Sequence, residues 1–216
     1  MKIVAIDGPA GAGKSTVARQ LAHELKVPYL DTGAMYRGVT FAAIQQGLST
    51  DSVDDIGRLA REVELVIGDT SLIVDGVDAT DAIRADDVTA AVSAVAANSQ
   101  VREELRARQR EWIQQHGGGV VEGRDIGTVV FPEATLKVYL TASPLVRAKR
   151  RVEQNGGDVD KIAKAITERD RKDSTRADSP LREASGSVLI DTSDRTVEEV
   201  VAQLVELVNA AVSRHG

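Results

Sequence analysis

A glycine-rich segment near the start of the sequence has the residue types and spacing of a phosphate-binding loop. Residues 8–15 read GPAGAGKS and match the pattern G-x-x-x-x-G-K-[ST]. Glycines let the backbone curl so that successive N–H groups point at phosphate oxygens, while Lys14 can reach β- and γ-phosphates and the Ser15 hydroxyl can bind Mg²⁺. The sequence therefore predicts binding of a nucleoside triphosphate with magnesium. The predicted contacts are from Gly8, Pro9, Ala10, Gly11, Ala12, Gly13, Lys14, Ser15 and Thr16.

The residues on either side of this loop predict the elements that hold it. An apolar run before the loop predicts a buried strand, formed by Ile3, Val4 and Ile6. After the loop, apolar residues recur at the spacing of one helix face, at Val17, Leu21 and Leu25. A chance match in a tight strand-to-helix turn is the alternative, and this context disfavours it. The loop alone does not separate a kinase from a GTPase, a motor or a switch.

A second polar cluster follows a short strand candidate at residues 27–30. Asp31 and Thr32 lie at its end, and Arg37 falls in the first turns of a helix predicted for residues 34–46. Ligands of open parallel sheets bind beyond the carboxyl ends of the strands, so Arg37 would face the phosphates. Helix capping by Asp31 and Thr32, and a surface position for Arg37, are the alternatives.

A third cluster, Glu122, Arg124 and Asp125, follows a strand predicted at residues 120–122. Phosphate-loop enzymes keep a Mg²⁺-organising acid at the end of such a strand, which is the position of Glu122. The guanidinium of Arg124 is suited to a bidentate phosphate contact. The alternative is a solvated turn with a surface pair between Arg124 and Asp125.

The fourth cluster is the charged run RDRKDSTR at residues 169–176, in and after a helix predicted for 158–172. A mobile arm that offers several guanidiniums is suited to a phosphoryl-transfer lid. Charged helices are more often solvated and cross-linked by pairs such as Arg169–Asp173, but no pair of acids is expected to neutralise Arg176. Upstream, the pattern does not decide which basic side chain contacts ATP among Arg147, Lys149, Arg150 and Arg151.

The order of predicted elements indicates an α/β protein with the three-layer P-loop NTPase fold. Five strands would form a parallel sheet: the strand before the phosphate loop and residues 27–30, 120–122, 136–140 and 188–190. A capped helix is predicted after Ser143-Pro144, and a last helix at residues 196–212.

Residues 48–115 interrupt this alternation and are interpreted as an inserted lobe. Its predicted elements are short strands at 62–67 and 72–74, a hairpin turn at Asp75-Gly76, and helices at 83–97 and 99–115. The core would then comprise residues 1–47, 116–154 and 179–216, and residues 155–178 would form a lid hinged at Gly156-Gly157.

Composition excludes several classes of protein. The chain has 216 residues, a net charge of −6 and no cysteine, so disulfides and thiolate metal sites are excluded and general nucleic-acid binding is disfavoured. Ten basic and six acidic residues in the stretch 147–176 favour a small polyanion as ligand. No apolar run is long enough for a transmembrane helix, and no secretory signal precedes the first strand, so a cytoplasmic location is expected.

Six segments in the same order resemble bacterial cytidylate kinases, the (d)CMP kinases, over almost the whole chain. They are IDGPAGAGKST at 6–16, LDTGAMYR at 30–37, VSAVAANSQVRE at 92–103, EGRDIGTVVFP at 122–132, ERDRKDSTRADSPL at 168–181 and VLIDTS at 188–193. Several spaced motifs are far more specific than the phosphate loop alone.

The resemblance implies a role for each matching residue. It makes 8–16 the ATP loop and 48–115 the monophosphate-binding lobe. It implies that the cytosine ring is read by Ser93, Arg102 and Asp125, that phosphates are handled by Arg37, Arg124 and Arg176, and that the sugar is held by Arg169 with Asp173. Thr32 stands where relatives often have serine and retains the hydroxyl. Glu122 stands where relatives can have aspartate, so its indirect part in holding Mg²⁺ stays open.

The expected reaction is transfer of the γ-phosphoryl group of ATP to CMP or dCMP. Lys14, Arg124, Arg169 and Arg176 would stabilise the transferred group, and no general base is needed because the acceptor is an ionised phosphate. A carboxylate such as Asp125 accepts from the exocyclic amine of cytosine, whereas uracil would present an acceptor to it. The rivals are a kinase for UMP, AMP or a shikimate-like acceptor, and a nucleotide switch, whose N-K-x-D signature is missing. We expect a monomer; the preference between CMP and dCMP is open.

Overall fold

Apolar runs and helix-spaced apolar residues form the elements of the structure, a computed structural model that describes residues 2–213. In the first half they are β1 Lys2–Asp7, α1 Lys14–Leu25, β2 Tyr29–Asp31, α2 Thr32–Gln45, α3 Val53–Glu62, β3 Leu65–Ile67, β4 Leu72–Val74, β5 Val77–Asp78, a 3₁₀ turn Ala82–Arg84 and α4 Asp86–Ala97. In the second half they are α5 Ser99–His116, β6 Gly118–Gly123, a π-helical turn Ile126–Val130, β7 Leu136–Thr141, α6 Pro144–Asn155, α7 Val159–Thr175, β8 Val188–Asp191 and α8 Val197–Ser213.

The central sheet has five strands in the order β2-β6-β1-β7-β8. The pairing of β1 is parallel on both sides, with Lys2 opposite Gly118 of β6 and Val4 opposite Leu136 of β7. β8 is added in parallel to β7, with Val188 opposite Val138. The predicted five-stranded parallel sheet is confirmed. Its central strand runs directly into the glycine-rich loop.

Helices α1 and α8 cover the sheet with the apolar faces that their sequences predict. Val17 and Leu21 of α1 and Leu204 of α8 are buried in one cluster with Val4 and Ile6 of β1. Burial of such side chains contributes about 1.5–3 kcal/mol each. The helix that carries Lys14 is therefore anchored to the strand that precedes the loop.

By its internal contacts the chain divides into two compact units. The first comprises the residues up to Tyr29 and those from His116 onward, and the second is Leu30–Gln115. The second unit thus begins earlier than the lobe predicted to start at residue 48. Within it, α2 approaches the small strands so closely that a Cβ on Gly38 would lie 2.9 Å from both Leu65 Cδ2 and Leu72 Cδ2. The functional division into core, lobe and lid stays a prediction.

The second unit contains the predicted small antiparallel sheet. β3 pairs with β4, and β4 pairs with β5. The turn between β4 and β5 uses Asp75 and Gly76, with φ of 48° and 78°. The strand predicted over 62–67 is wrong at its start, because Glu62 ends α3, a helix that was not predicted. The buried face of α3 carries Ile56, Leu59 and Ala60, spaced three and four residues apart as in a helix.

The end of α3 is held by Arg108 of α5. The guanidinium donates to the carbonyl oxygens of Ala60, Arg61 and Val63 at 2.9, 3.0 and 2.7 Å, and Nε donates to Glu104 at 2.7 Å. These are carbonyls that a helix end leaves without intrahelical partners.

Among residues 2–213, no helix combines the length and apolarity needed to cross a membrane.

Candidate active site

The backbone of the glycine-rich loop has the curled conformation that its sequence predicts. Gly8, Gly11 and Gly13 have φ of 149°, 77° and 85°, which favour glycine. A Cβ on Gly8 would lie 2.0 Å from the carbonyl oxygen of Leu140, so no side chain fits there. Gly13 precedes α1 without a side-chain cap, and an uncapped helix N-terminus presents N–H donors and a positive dipole end to an anion. The loop is therefore shaped for phosphate groups.

Lys14 is buried at the base of this loop. Its Nζ donates to the carbonyl oxygen of Pro9 at 2.9 Å. Burial, followed by the nearby cations Arg124 and Arg169, lowers its pKa to about 7, while Glu122 opposes the shift. Three cations concentrated beside a phosphate loop would be stabilised by a bound polyanion. The residues present fit a nucleotide's phosphates.

Arg124 is joined to a buried carboxylate of α7. Its Nε donates to Asp173 Oδ2 at 3.0 Å, and Nη1 donates to the carbonyl oxygen of Gly123 at 3.3 Å. Burial disfavours the cation, but Asp173, with Asp170 and Glu122, raises the pKa of Arg124 above its ordinary value. The alternative of a solvated turn with an Arg124–Asp125 surface pair is wrong, because Asp125 is only 5 % exposed and the partner of Arg124 is Asp173.

Arg176 lies between two acids, so the expectation that no pair of acids neutralises it is wrong. Its Nη2 is 3.7 Å from Asp125 Oδ1, and its Nη1 is 3.9 Å from Asp173 Oδ1. Spacing alone missed Asp125, which lies in the turn after β6. Burial acts against ionisation of Asp173, but Arg124, Arg169 and Arg176 hold its pKa below its ordinary value. Asp173 is thus the common counterion of three arginines.

Arg169 differs from these two arginines in its hydrogen bonding. Its Nε is buried, and no acceptor among the described residues bonds to it. Burial, followed by the repulsion of Arg124, lowers its pKa to about 10. The predicted Arg169–Asp173 pair is present as an electrostatic attraction, while the close ion pair of Asp173 is with Arg124 at 3.0 Å. A guanidinium with an unused donor is suited to an anionic ligand.

Glu122 is buried beside Lys14 and accepts a hydrogen bond from the hydroxyl of Tyr29. The guanidinium of Arg19 lies over the Tyr29 ring, 5.6 Å from its centroid. Within residues 2–213, no group of three or more His, Cys, Asp or Glu side chains could hold a metal ion. The roles of Ser15 and Glu122 toward Mg²⁺ stay predictions.

Asp7, the last residue of β1, is a buried acid that the sequence analysis missed. Its Oδ1 accepts from Ile126 N at 2.8 Å and its Oδ2 from Gly127 N at 2.7 Å. Burial, with a smaller contribution from Asp125, raises its pKa to about 6, although these hydrogen bonds and Lys14 act in the opposite direction. The available signal was a carboxylate at the end of an apolar strand, directly before the loop.

The stability of the protein should depend on the protonation of Asp7. Its folded-state pKa of about 6 exceeds its ordinary value of 3.8, so between these values the folded protein keeps a proton that the unfolded chain has released. This retained proton therefore stabilises the folded protein by about 3 kcal/mol below about pH 4, and the stabilisation is lost as pH rises through 6. We expect the free energy of unfolding of the wild type, minus that of Asp7→Asn, to fall by this order between pH 4 and pH 7 in urea titrations. A constant difference would contradict it.

Arg147 joins α6 to the phosphate loop and to α7. It donates to the carbonyl oxygens of Ala142 and Ala10 at 2.9 and 3.0 Å and to Asp170 at 2.5 Å, while Ala10 N donates to Asp170 at 3.4 Å. Arg150 instead donates to Thr192, at 3.0 Å to the hydroxyl and 2.6 Å to the carbonyl oxygen. Arg147 is therefore part of the support of the loop.

Removal of Asp170 should destabilise the protein, because it leaves the Arg147 cation buried without this partner. The Arg147 side chain is 6 % exposed and that of Asp170 is 20 % exposed. Breaking such a buried pair costs about 3 kcal/mol. Urea denaturation of Asp170→Ala measures this loss. The matched control is Glu168→Ala on the same helix, whose pair with Arg171 is exposed and should contribute less than about 1 kcal/mol. Equal losses of unfolding free energy in the two variants would show that the buried pair contributes no more to stability than the exposed pair.

The remaining predicted site residues belong to the second unit. Asp31 caps α2 by accepting from Ala34 N at 3.0 Å, as its capping alternative predicts, and Thr32 is the buried first residue of that helix. Arg37 donates to the carbonyl oxygen of Ile83 at 3.0 Å and to Thr89 Oγ1 at 2.9 Å. Arg102 is 1 % exposed and donates to the carbonyl oxygen of Ala96 at 3.2 Å. Its guanidinium lies 5.6 Å from the centroid of the Tyr36 ring, and Ser93 is a half-buried residue of α4.

The parallel sheet, the glycine-rich loop and the buried cations beside it define a protein of the P-loop fold. The structure is similar to that of a gluconokinase from Sinorhizobium meliloti, with a TM-score of 0.54 and 15 % identity over 99 % of this chain and 95 % of that one. It is also similar to TT1252 from Thermus thermophilus, with a TM-score of 0.51 and 19 % identity over 97 % and 96 % of the two chains. At these identities the likeness shows the fold alone.

Within this group the chain belongs to the cytidylate kinase family, whose family model matches residues 4–210. It is 46 % identical to the cytidylate kinase of Mycobacterium leprae over 95 % of both chains, and 45 % identical to that of Corynebacterium efficiens over 98 % and 96 %. It is also 49 % identical to a bifunctional pantoate ligase/cytidylate kinase of Synechococcus, covering 96 % of this chain and 42 % of that protein. The chain thus spans less than half the length of that relative. The family resemblance predicted from the six segments is confirmed.

Proposed function

We propose that the chain is an ATP-dependent kinase that transfers the γ-phosphoryl group of ATP to CMP or dCMP, giving CDP or dCDP and ADP. The observation that carries the proposal is the cation cluster of Lys14, Arg124 and Arg169 beside the glycine-rich loop. The membership of the chain in the cytidylate kinase family supports the choice of CMP or dCMP as the acceptor.

The loop and the cations would perform electrostatic stabilisation. The backbone N–H groups from Gly8 to Thr16 hold the phosphates, and Lys14 neutralises charge on the group in transfer. Asp173 would orient Arg124, which donates to it at 3.0 Å, and the Ser179 carbonyl oxygen, which accepts from Nε and Nη2, would orient Arg176. Arg169 contributes the buried Nε donor that has no acceptor among the described residues. Because the acceptor phosphate is already ionised, no residue needs to act as a general base.

Magnesium, when bound with ATP, would neutralise the phosphates and fix their geometry. In this chain the Ser15 hydroxyl would be a ligand. The buried Glu122 carboxylate, oriented by the Tyr29 hydroxyl, would accept from water molecules around the ion.

On the acceptor side, Asp125 would read the exocyclic amine of cytosine. The carboxylate is buried and lies 3.7 Å from the Arg176 guanidinium. It can accept hydrogen bonds but, when ionised, cannot donate to the carbonyl oxygen of uracil. The further acceptor contacts carried by the family resemblance are Thr32, Arg37, Ser93 and Arg102, with Arg169 and Asp173 at the sugar.

The wider setting follows from the same proposal. The enzyme would act in pyrimidine nucleotide metabolism, in the cytoplasm and as a monomer. Residues 48–115 would form the acceptor-binding lobe and residues 155–178 a lid that excludes water during transfer. Gly156 and Gly157, with φ of 73° and 107°, are the candidate hinge of that lid.

The test is ADP formation with ATP and Mg²⁺ and one acceptor at a time: CMP, dCMP, UMP, AMP, GMP, dTMP or shikimate. Rates for CMP and dCMP far above the others would support the proposal. Preference for another acceptor would retain a kinase and remove the cytosine assignment. Slow hydrolysis that does not depend on the acceptor would contradict a kinase.

A further inference from the structure

The carboxylate of Asp7 spans two loops at the same end of the sheet. Asp7 ends the central strand β1 and precedes Gly8 of the phosphate loop, and in the parallel register it lies opposite Gly123 of β6. Its side chain reaches past that strand end to the main chain of Ile126 and Gly127. It therefore ties the start of the phosphate loop to the turn that follows Arg124 and Asp125.

These hydrogen bonds fix the peptide group that follows Asp125. The carbonyl oxygen of this group, from Asp125, accepts from Val129 N at 2.9 Å and Val130 N at 3.2 Å. Its N–H, from Ile126, donates to Asp7 at 2.8 Å. Both polar ends of the peptide group are thus held, one by the π-helical turn itself and the other by a residue from a different strand. The direction in which the Asp125 side chain leaves the backbone depends on both.

We propose that Asp7 is a positioning residue for acceptor recognition, which holds the Asp125 carboxylate where it reads the base of the acceptor nucleotide. This inference rests on the proposed function, since it assigns the supporting residue of the proposed base-reading acid. Asp7 acts through Asp125 and does not touch the acceptor.

The alternative is that Asp7 serves stability alone. Its burial argues against that, because a carboxylate that is 3 % exposed must lose its hydration to ionise at neutral pH. The nearest charges partly cancel: Lys14 favours the ionised form, and Asp125 opposes it. An asparagine would avoid that loss of hydration but would present a donor to one of the two N–H groups that Asp7 accepts from. Stability and positioning would therefore both favour the carboxylate, and the binding measurements below separate the two roles.

The decisive variant is Asp7→Asn, which preserves shape but turns one of the two acceptors into a donor that faces a backbone N–H. Binding of CMP to the full-length protein is measured by calorimetry in the absence of ATP, and KM for ATP is measured separately by steady-state kinetics. We expect the Kd for CMP to rise about tenfold or more, as misplacement of a binding group does. KM for ATP should rise by a smaller factor, because Asp7 also borders the phosphate loop and acts on Lys14. Amide hydrogen exchange at Ile126 and Gly127 should become faster.

Two controls separate positioning from stability. Val208→Ala, in the apolar cluster beneath α8, should lower stability and leave the Kd for CMP unchanged. In the double variant Asp7→Asn/Asp125→Asn, the Kd for CMP should equal that of Asp125→Asn alone, because a residue that acts only through Asp125 has no further effect once Asp125 is changed.

The inference would be overturned if Asp7→Asn left the Kd for CMP within about twofold of the wild type, or if the effects of Asp7 and Asp125 simply added. Equal losses of CMP and ATP affinity would also overturn it. Failure of the proposed function gives a different result: the wild type itself would not bind CMP. If the wild type binds another monophosphate instead, the same variants measured with that acceptor test the role of Asp7.

Discussion

Replacement of Lys14 by methionine is expected to lower kcat for phosphoryl transfer by about 10³-fold, the cost of removing one preorganised charge from a developing anionic group. Lys14 is buried beneath the loop, with Nζ 2.9 Å from the carbonyl oxygen of Pro9. Burial and the neighbouring arginines lower its pKa to about 7, so the folded protein bears the cost of holding this charge. Methionine has a similar length and no charge, and the variant should therefore fold.

The loss should appear mainly in kcat, because the charge on the transferred group spreads in the transition state. Steady-state kinetics with saturating ATP and acceptor measures it, and urea denaturation confirms that the fold is intact. The matched control is Lys26→Met, at the exposed end of the same helix, which should retain wild-type kcat. A Lys14→Met enzyme within tenfold of the wild type would remove Lys14 from the proposed mechanism.

Asp125→Asn is expected to remove discrimination between cytosine and uracil. The carboxylate only accepts hydrogen bonds, whereas the amide of asparagine can donate to the uracil oxygen that takes the place of the cytosine amine. Sites that hydrogen-bond one group reject the analogue strongly because a buried polar group would be left unpaired. We expect the ratio of kcat/KM for CMP to that for UMP to fall about 100-fold or more.

The ratio is the informative quantity, because loss of the Asp125 charge also changes the surroundings of Arg176, 3.7 Å away. That effect applies to both acceptors and cancels in the ratio. Asp69→Asn, in the exposed turn between β3 and β4, is the control for the substitution and should leave the ratio unchanged. If Asp125→Asn reduces both activities equally, Asp125 acts on the phosphate side and another residue reads the base.

Much of the fold could be predicted because its signals are local. The phosphate loop lies between an apolar strand and an amphipathic helix, and both are present as β1 and α1. Ser143 caps α6 by accepting from Val146 N at 3.3 Å, with Pro144 in its first turn, because capping depends on residues three positions apart. Helix α3 was missed although Ile56, Leu59 and Ala60 have helical spacing.

The parts of the site that were not predicted depend on residues distant in sequence. Asp7 accepts from residues more than 100 positions away, and Arg176, at the end of α7, is neutralised partly by Asp125 of the turn after β6. The spacing of Arg169 and Asp173 predicted their attraction but not that Arg124 would be the close partner of the acid. Sequence patterns give the residue types of such a network, whereas the parallel pairing of β1 and β6 decides which of them meet.

The strand order also has a consequence for the way in which the chain folds. Lys2 of β1 pairs with Gly118 of β6, so β1 cannot pair with this neighbour until all the residues between the two strands have been made. The second compact unit, Leu30–Gln115, is continuous in sequence and needs no residue from outside itself to close its own contacts. Because closing long loops is slow and local contacts form first, we expect this unit to gain structure during synthesis while β1 is still unpaired. The glycine-rich loop would then be among the last parts of the protein to take shape.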